Sequence, residues 1–289
     1  HYFDPHADYS PPEPYASRCA GSPYDGEIAY TDAMLGSILD ELRGRGELDE
    51  TLVVVTADHG EALGDHGEET HGFFIYDSTT HVPLLMSHPS LPESRKVEHV
   101  IGLVDIAPTV MDIMGVNYGD GFDGRSYLSV MLSEDASFEA LPAYSESMFP
   151  WHGFGWSDLR ALRGKDWRYV RAPRPELYDI AEDPGEVRDL SSAEPALLQR
   201  RAAELSAMLP EREVETFTRD EGGMDAEVES ALSALGYTGA DLSGDPGGEL
   251  ADPKDKLGDA TRLHDAEAAI ARGREAEAEA IYRKLVEDN

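Results

Sequence analysis

A chain of 289 residues with 40% hydrophobic and 8% aromatic residues is long enough to bury a core and too apolar to be intrinsically disordered. Its 58 Asp and Glu against 24 Lys and Arg give a formal net charge of -34, a field that repels polyanions and argues against nucleic acid as a partner. The single Cys19 leaves no intramolecular disulfide and no all-thiolate zinc site, and no apolar run reaches the length of a membrane span. Because the acids are spread along the chain, they read as a solvated surface suited to high salt rather than as an acidic tail. The chain opens on His1 without a signal-like start and stops inside a helical pattern, so both ends are expected to be cut.

Residues 1–14, rich in Pro, His and Tyr, are predicted as an irregular loop of the kind that carries function. Over 24–44 the apolar residues Ile28, Leu35, Ile38, Leu39 and Leu42 mark one helix face, ended by Gly44 and Gly46. Leu52-Val53-Val54-Val55 is predicted as a strand buried on both faces of a parallel sheet, and Val82-Pro83-Leu84-Leu85-Met86 as a second strand. Asp105 is placed to cap a helix with Pro108 in its first turn, an apolar face of Ile106, Val110, Ile113 and Met114, and a stop at Gly115. This alternation predicts an α/β domain.

After about residue 138 the pattern changes. Strand-like runs at 159–163 and 167–171 flank Gly164-Lys165-Asp166 as a hairpin, Glu176-Leu177-Tyr178-Asp179 adds a third strand, and a helix follows near 195–209. Residues 236–256 concentrate Gly, Asp and Pro as a linker. Two helices, 257–272 and 275–288, are broken by Gly273, with Ala276, Ala280, Tyr282 and Leu285 set to interlock with the first. The pair resembles one tetratricopeptide repeat, although an ordinary helical hairpin reads the same way. Since a single repeat cannot bury its apolar face, 257–289 is expected to pack poorly against the rest and to be followed by further repeats.

Asp58 and His59 directly follow the first predicted strand, and strand carboxyl ends are where ligand sites form in α/β sheets. A carboxylate beside an imidazole is a mixed hard and borderline ligand pair, and Gly60 lets the chain turn close to an ion. Taken in isolation, the pair reads rather as a helix cap beside a surface histidine.

The surrounding residues decide between these. The stretch 53–83, with Thr56-Ala57-Asp58-His59-Gly60-Glu61, Leu63-Gly64-Asp65-His66-Gly67 and Val82-Pro83-Leu84, closely resembles the sulfatase branch of the alkaline-phosphatase superfamily. The likeness extends to Tyr2-Phe3-Asp4-Pro5-His6 and to Glu176-Leu177-Tyr178-Asp179 with Asp183-Pro184, covering about residues 1–210. It implies an alkaline-phosphatase-like sandwich with a mostly parallel central sheet, a small antiparallel carboxyl-terminal subdomain and then an α-helical hairpin. The corresponding domains are a partial catalytic domain over 1–140, an antiparallel subdomain over 141–215, a linker over 216–256 and the helical hairpin over 257–289.

The resemblance assigns roles residue by residue. Asp58 and His59 match the family's metal pair, for calcium first, with zinc or manganese as alternatives. His6 matches a histidine facing the sulfate and its leaving oxygen, so it is the candidate proton donor. His71 falls near a position where many sulfatases have lysine, and a histidine there makes any sulfate contact pH-dependent. Asp65 and His66 are expected to order the loop after the metal pair.

Sulfatases attack with a formylglycine made in a Cys/Ser-x-Pro-x-Arg motif and complete the metal site with an Asp-Asp pair. Neither occurs here, and Cys19 is followed by Ala20-Gly21-Ser22-Pro23. Nucleophile and remaining ligands are expected upstream of His1, and the fragment alone is expected to be inactive. The implied function is hydrolysis of a small-molecule or carbohydrate sulfate ester in a periplasmic or extracellular setting. Two alternatives stand beside it: a phosphodiesterase or phosphonate monoester hydrolase of the same superfamily, and a non-catalytic binding protein whose helical repeat holds a protein partner.

Overall fold

The structure, a computed structural model, describes residues 1–7, 9–133, 136, 138, 141–209, 250–271 and 273–288. The chain divides into two compact units, His1–Leu63 with His81–Glu139, and Gly64–Thr80 with Ala140–Asn289.

In the first unit the predicted 24–44 helix is α1, Pro23–Gly44, started by Pro23 and by Ser22, whose hydroxyl accepts the Asp25 N–H at 3.3 Å. Its first turns hold the amino-terminal loop. A Cβ on Gly26 would lie 2.7 Å from Pro11 Cγ, so the loop closes on the helix only over a glycine. The buried Glu27 accepts the His6 N–H at 3.2 Å and the Ser10 N–H at 2.5 Å, and Thr31 donates to Asp4 O at 3.1 Å.

The strands β1, Val53–Thr56, and β2, Leu84–Ser87, pair antiparallel from Val53↔Ser87 to Thr56↔Leu84. This corrects the expectation of a mostly parallel sheet: among the described residues both sheets are antiparallel. It also corrects the burial expected for β1, since Val53, Val54 and Val55 are only half-buried and Leu85 of β2 is exposed. A β-branched run specifies a strand but not its direction. Parallel pairing requires a long crossover, and the 57–83 connection carries no regular helix longer than the single turn Asp77–Thr80.

Helix α2, Ile106–Ile113, starts where predicted, but Asp105 does not cap it with its side chain. That carboxylate accepts from the Gly102 N–H at 2.8 Å and the Arg125 N–H at 2.9 Å instead. The predicted face shifts as well: Pro108 and Thr109 are buried while Met114 is exposed, because Thr109 is satisfied inside by Asp105 O and the Tyr127 N–H.

The second unit is built on a meander of β3, Ala143–Ser147, β4, Leu159–Arg163, β5, Trp167–Arg171, and β6, Glu176–Asp179, paired in that order. The predicted hairpin closes with Arg163↔Arg168 and a Gly164 N–H to Trp167 O bond of 2.8 Å. One side chain cluster joins Leu159, Ala161, Val170 and Tyr178 to Phe74, Ile75 and Tyr76. A second joins Leu162, Tyr169 and Leu177 to Leu205 of α3, Pro195–Met208. Between strand and loop, Arg168 is buried and bridges Ile75 O, Asp77, Thr80 and Glu186.

Two further helices, α4, Pro253–Ala271, and α5, Glu275–Asp288, turn at Gly273 and meet through Ala266, Ala269 and Ala278. Most of the predicted linker lies outside the described residues, and its last four residues are already helix, because Pro253 is a helix-starting residue. Poor packing of 257–289 is corrected at its first turn. Leu257 packs on the Phe74 cluster, and just before it Arg174 pairs with Asp255 at 2.6 Å and Lys254 with Glu176 at 3.2 Å. Among the described residues no helix is long and apolar enough to cross a membrane.

Candidate active site

Asp58 and His59 leave β1 two and three residues past Thr56, as the strand signal predicts. The Asp58 carboxylate is exposed, accepts the His59 N–H at 3.2 Å and lies 4.0 Å from His59 Nε2. His59 Nδ1 is 3.0 Å from Gly60 O, a contact that puts the proton on Nδ1 and the lone pair on Nε2, the atom nearer Asp58. Glu61, buried at 8% exposure, presents an oxygen within 4.8 Å of a His59 ring nitrogen. Behind it, burial and then the Glu61 carboxylate push the Tyr9 hydroxyl above its ordinary range.

His6 reaches the same place from 53 residues away in sequence. Its ring centroid lies 6.3 Å from that of His59, edge to face, and 4.4 Å from that of Phe3. The backbone bond to Glu27 fixes the loop, and Nδ1 sits 2.6 Å from Ala7 O.

His71 belongs to the second unit. The loop that carries it is braced on both sides: buried Glu68 accepts the Phe73 and Phe74 N–H groups at 2.8 and 3.1 Å, and the Ser147 hydroxyl donates to Gly72 O at 2.6 Å. His66 stacks on Tyr76 at 3.6 Å between centroids, and burial lowers its basicity even though Glu176 and Asp65 oppose the shift. It orders this loop by packing.

At the β1 exit His59 and Glu61 bring an imidazole nitrogen and a carboxylate oxygen within 4.8 Å of one another, donors that fit a divalent cation such as calcium, zinc or manganese, and Asp58 lies beside His59 with Oδ1 4.0 Å from its Nε2. Glu61 and Glu27 were not singled out by sequence reasoning. The only signal for Glu61 was its place two residues beyond His59, and for Glu27 its neighbouring Gly26 in a helix start.

A family model described as Sulfatase matches residues 1–116, and one described as N-sulphoglucosamine sulphohydrolase, C-terminal, matches residues 64–213. Arylsulfatase K of Bos taurus is 33% identical over 202 residues, covering 63% of this chain and 37% of that protein. The chain thus spans little more than a third of the curated relatives it matches. Phosphonate monoester hydrolase of Agrobacterium radiobacter is 27% identical with a TM-score of 0.57, over 64% of this chain and 40% of that one. A 2-O GAG sulfatase, 24% identical with a TM-score of 0.59 over 67% of this chain and 43% of its own, shares the fold.

Proposed function

Because the chain belongs to the sulfatase family, we propose that the whole protein hydrolyses a sulfate monoester, with Asp58, His59 and Glu61 holding a divalent cation and His6 donating a proton to the leaving oxygen. The observation that carries this reading is the meeting of His6 and His59 at the exit of β1. A bound divalent cation would hold and polarise the anionic sulfate oxygens there. Net addition of water gives an alcohol and hydrogen sulfate, and the alkoxide leaves readily only if protonated as the sulfur–oxygen bond breaks. His6 supplies that proton and recovers one from water.

His71 is assigned a contact to the sulfate oxygens on the family resemblance, supported by the bracing of its loop. Calcium is the proposed ion, favoured by two carboxylate oxygens and an exposed Asp58. The helices α4 and α5, joined at Gly273 and packed through small residues, support a tetratricopeptide-like surface for a protein partner. The family resemblance supports a periplasmic or extracellular setting. Phosphonate ester hydrolysis is the less favoured alternative, since the family models and curated relatives are sulfatases.

The test uses the whole protein with calcium and two esters, 4-nitrophenyl sulfate and an alkyl sulfate. Asp58→Ala is expected to weaken calcium binding and abolish turnover. His6→Ala is expected to lower kcat by about 100-fold or more on the alkyl ester, and by less on the nitrophenyl ester, whose leaving group needs no proton. Equal losses on both esters would remove His6 from the proton-donor role, and turnover of phenylphosphonate without turnover of either sulfate would overturn the sulfatase reading.

A further inference from the structure

In the first unit, the described residues between Asp4 and Pro11 lie along the first turns of α1 in the reverse direction. Thr31 donates to Asp4 O at 3.1 Å, Glu27 accepts the His6 and Ser10 N–H groups, Tyr24 meets Tyr9 edge-on at 5.4 Å between ring centroids, and Gly26 admits Pro11. Tyr24, Glu27 and Thr31 are three and four residues apart, so they share one face of the helix. Of the three, Glu27 bonds to the backbone of His6 itself.

Glu27 is 2% exposed, and its two oxygens have separate tasks, Oε2 accepting from His6 at 3.2 Å and Oε1 from Ser10 at 2.5 Å. A buried carboxylate is costly unless hydrogen bonds meet its charge. Two backbone N–H groups four residues apart meet it here, and the segment between them is held at both ends. Glutamine cannot replace it: whichever way its amide is turned, the NH2 group faces an N–H and leaves one buried backbone donor unpaired.

We propose that Glu27 is a positioning residue for sulfate ester hydrolysis, setting the His6 imidazole beside His59 by gripping the backbone at residues 6 and 10. The proposal rests on the reading that His6 protonates the leaving oxygen, and Glu27 acts only through it. Proton transfer tolerates little misplacement, since the donor must come within about 2.6–3.2 Å of the leaving oxygen and a shift on the order of 1 Å costs much of the rate. The described residues from 1 to 11 form no helix or strand whose own ladder could supply that precision. The buried carboxylate supplies it instead.

In the whole protein, Glu27→Gln is expected to lower kcat about tenfold more on ethyl sulfate than on 4-nitrophenyl sulfate, whose leaving group needs no proton. In a His6→Ala background the same substitution is expected to leave that ratio where His6→Ala alone puts it. A carboxylate that only stabilised the fold would reduce the active fraction, and so both rates alike. Equal losses on the two esters therefore overturn the assignment, and so does a further change of the ratio in the His6→Ala background. Should Glu27→Gln fail to fold, Glu27→Asp keeps both oxygens and withdraws them by one methylene, with the same ester-selective loss expected and equal losses again decisive against it. If His6→Ala itself loses equally on both esters, or the parent turns over neither, the proton-donor reading fails and the role of Glu27 falls with it. A selective loss in His6→Ala without one in the Glu27 variants removes Glu27 alone.

Discussion

His66 lies face to face with Tyr76, and burial keeps its imidazole below its ordinary value against the pull of Glu176 and Asp65. In the unfolded chain the same ring takes a proton near its usual value of about 6.5. The contribution of the neutral ring is therefore complete above that value and is lost as pH falls through the lower folded value. His66→Phe keeps the stack and removes the proton, so its thermal midpoint is expected to fall less than the parent's between pH 7 and pH 5. The cost of a phenyl ring at a φ of 54° cancels from this slope. A slope equal to the parent's would mean that His66 does not titrate on unfolding. Asp58 and His59 were legible because a strand signal precedes them directly. Glu61 and Glu27 were not, since in a chain with 58 acids only burial distinguishes a functional carboxylate from a solvated one.

Among the elements, the 159–171 hairpin was readable because apolar positions sit on either side of Gly164-Lys165-Asp166. The structure adds what that glycine is for. A Cβ at Gly164 would fall 2.2 Å from the Trp167 indole, which the Arg201 guanidinium covers from 3.5 Å. Gly164→Ala is expected to cost about 1–3 kcal/mol in chemical denaturation, and Trp167→Leu in the same background to recover part of it. No loss in Gly164→Ala would show that the indole moves aside freely. Strand β3 gave no comparable signal, because Ala-Tyr-Ser-Glu-Ser lacks a regular apolar alternation, and the direction of β1 against β2 is fixed by the path of the 57–83 connection rather than by either strand's composition.

For the whole molecule, a formal net charge of -34 means that folding brings mutually repelling carboxylates together, and added counterions relieve that repulsion. Thermal midpoint is expected to rise with potassium chloride from about 0.05 M to 1 M, over which the screening length shrinks several-fold. A midpoint that falls with salt would place surface ion pairs such as Arg174–Asp255 above general repulsion in importance.

The excursion 64–80 also sets a timetable for synthesis. Tyr76 donates to Glu176, 100 residues further on, and Asp77 accepts from Arg168, 91 residues on. At about 5–20 residues per second, a ribosome delivers those partners only about 5–20 s after Phe74, Ile75 and Tyr76. For that interval the three large apolar side chains at residues 74–76 wait without the sheet that will bury them. Nor can the second unit be rescued by expressing 140–289 alone, because the filling of one of its sheet faces is encoded before the sheet itself.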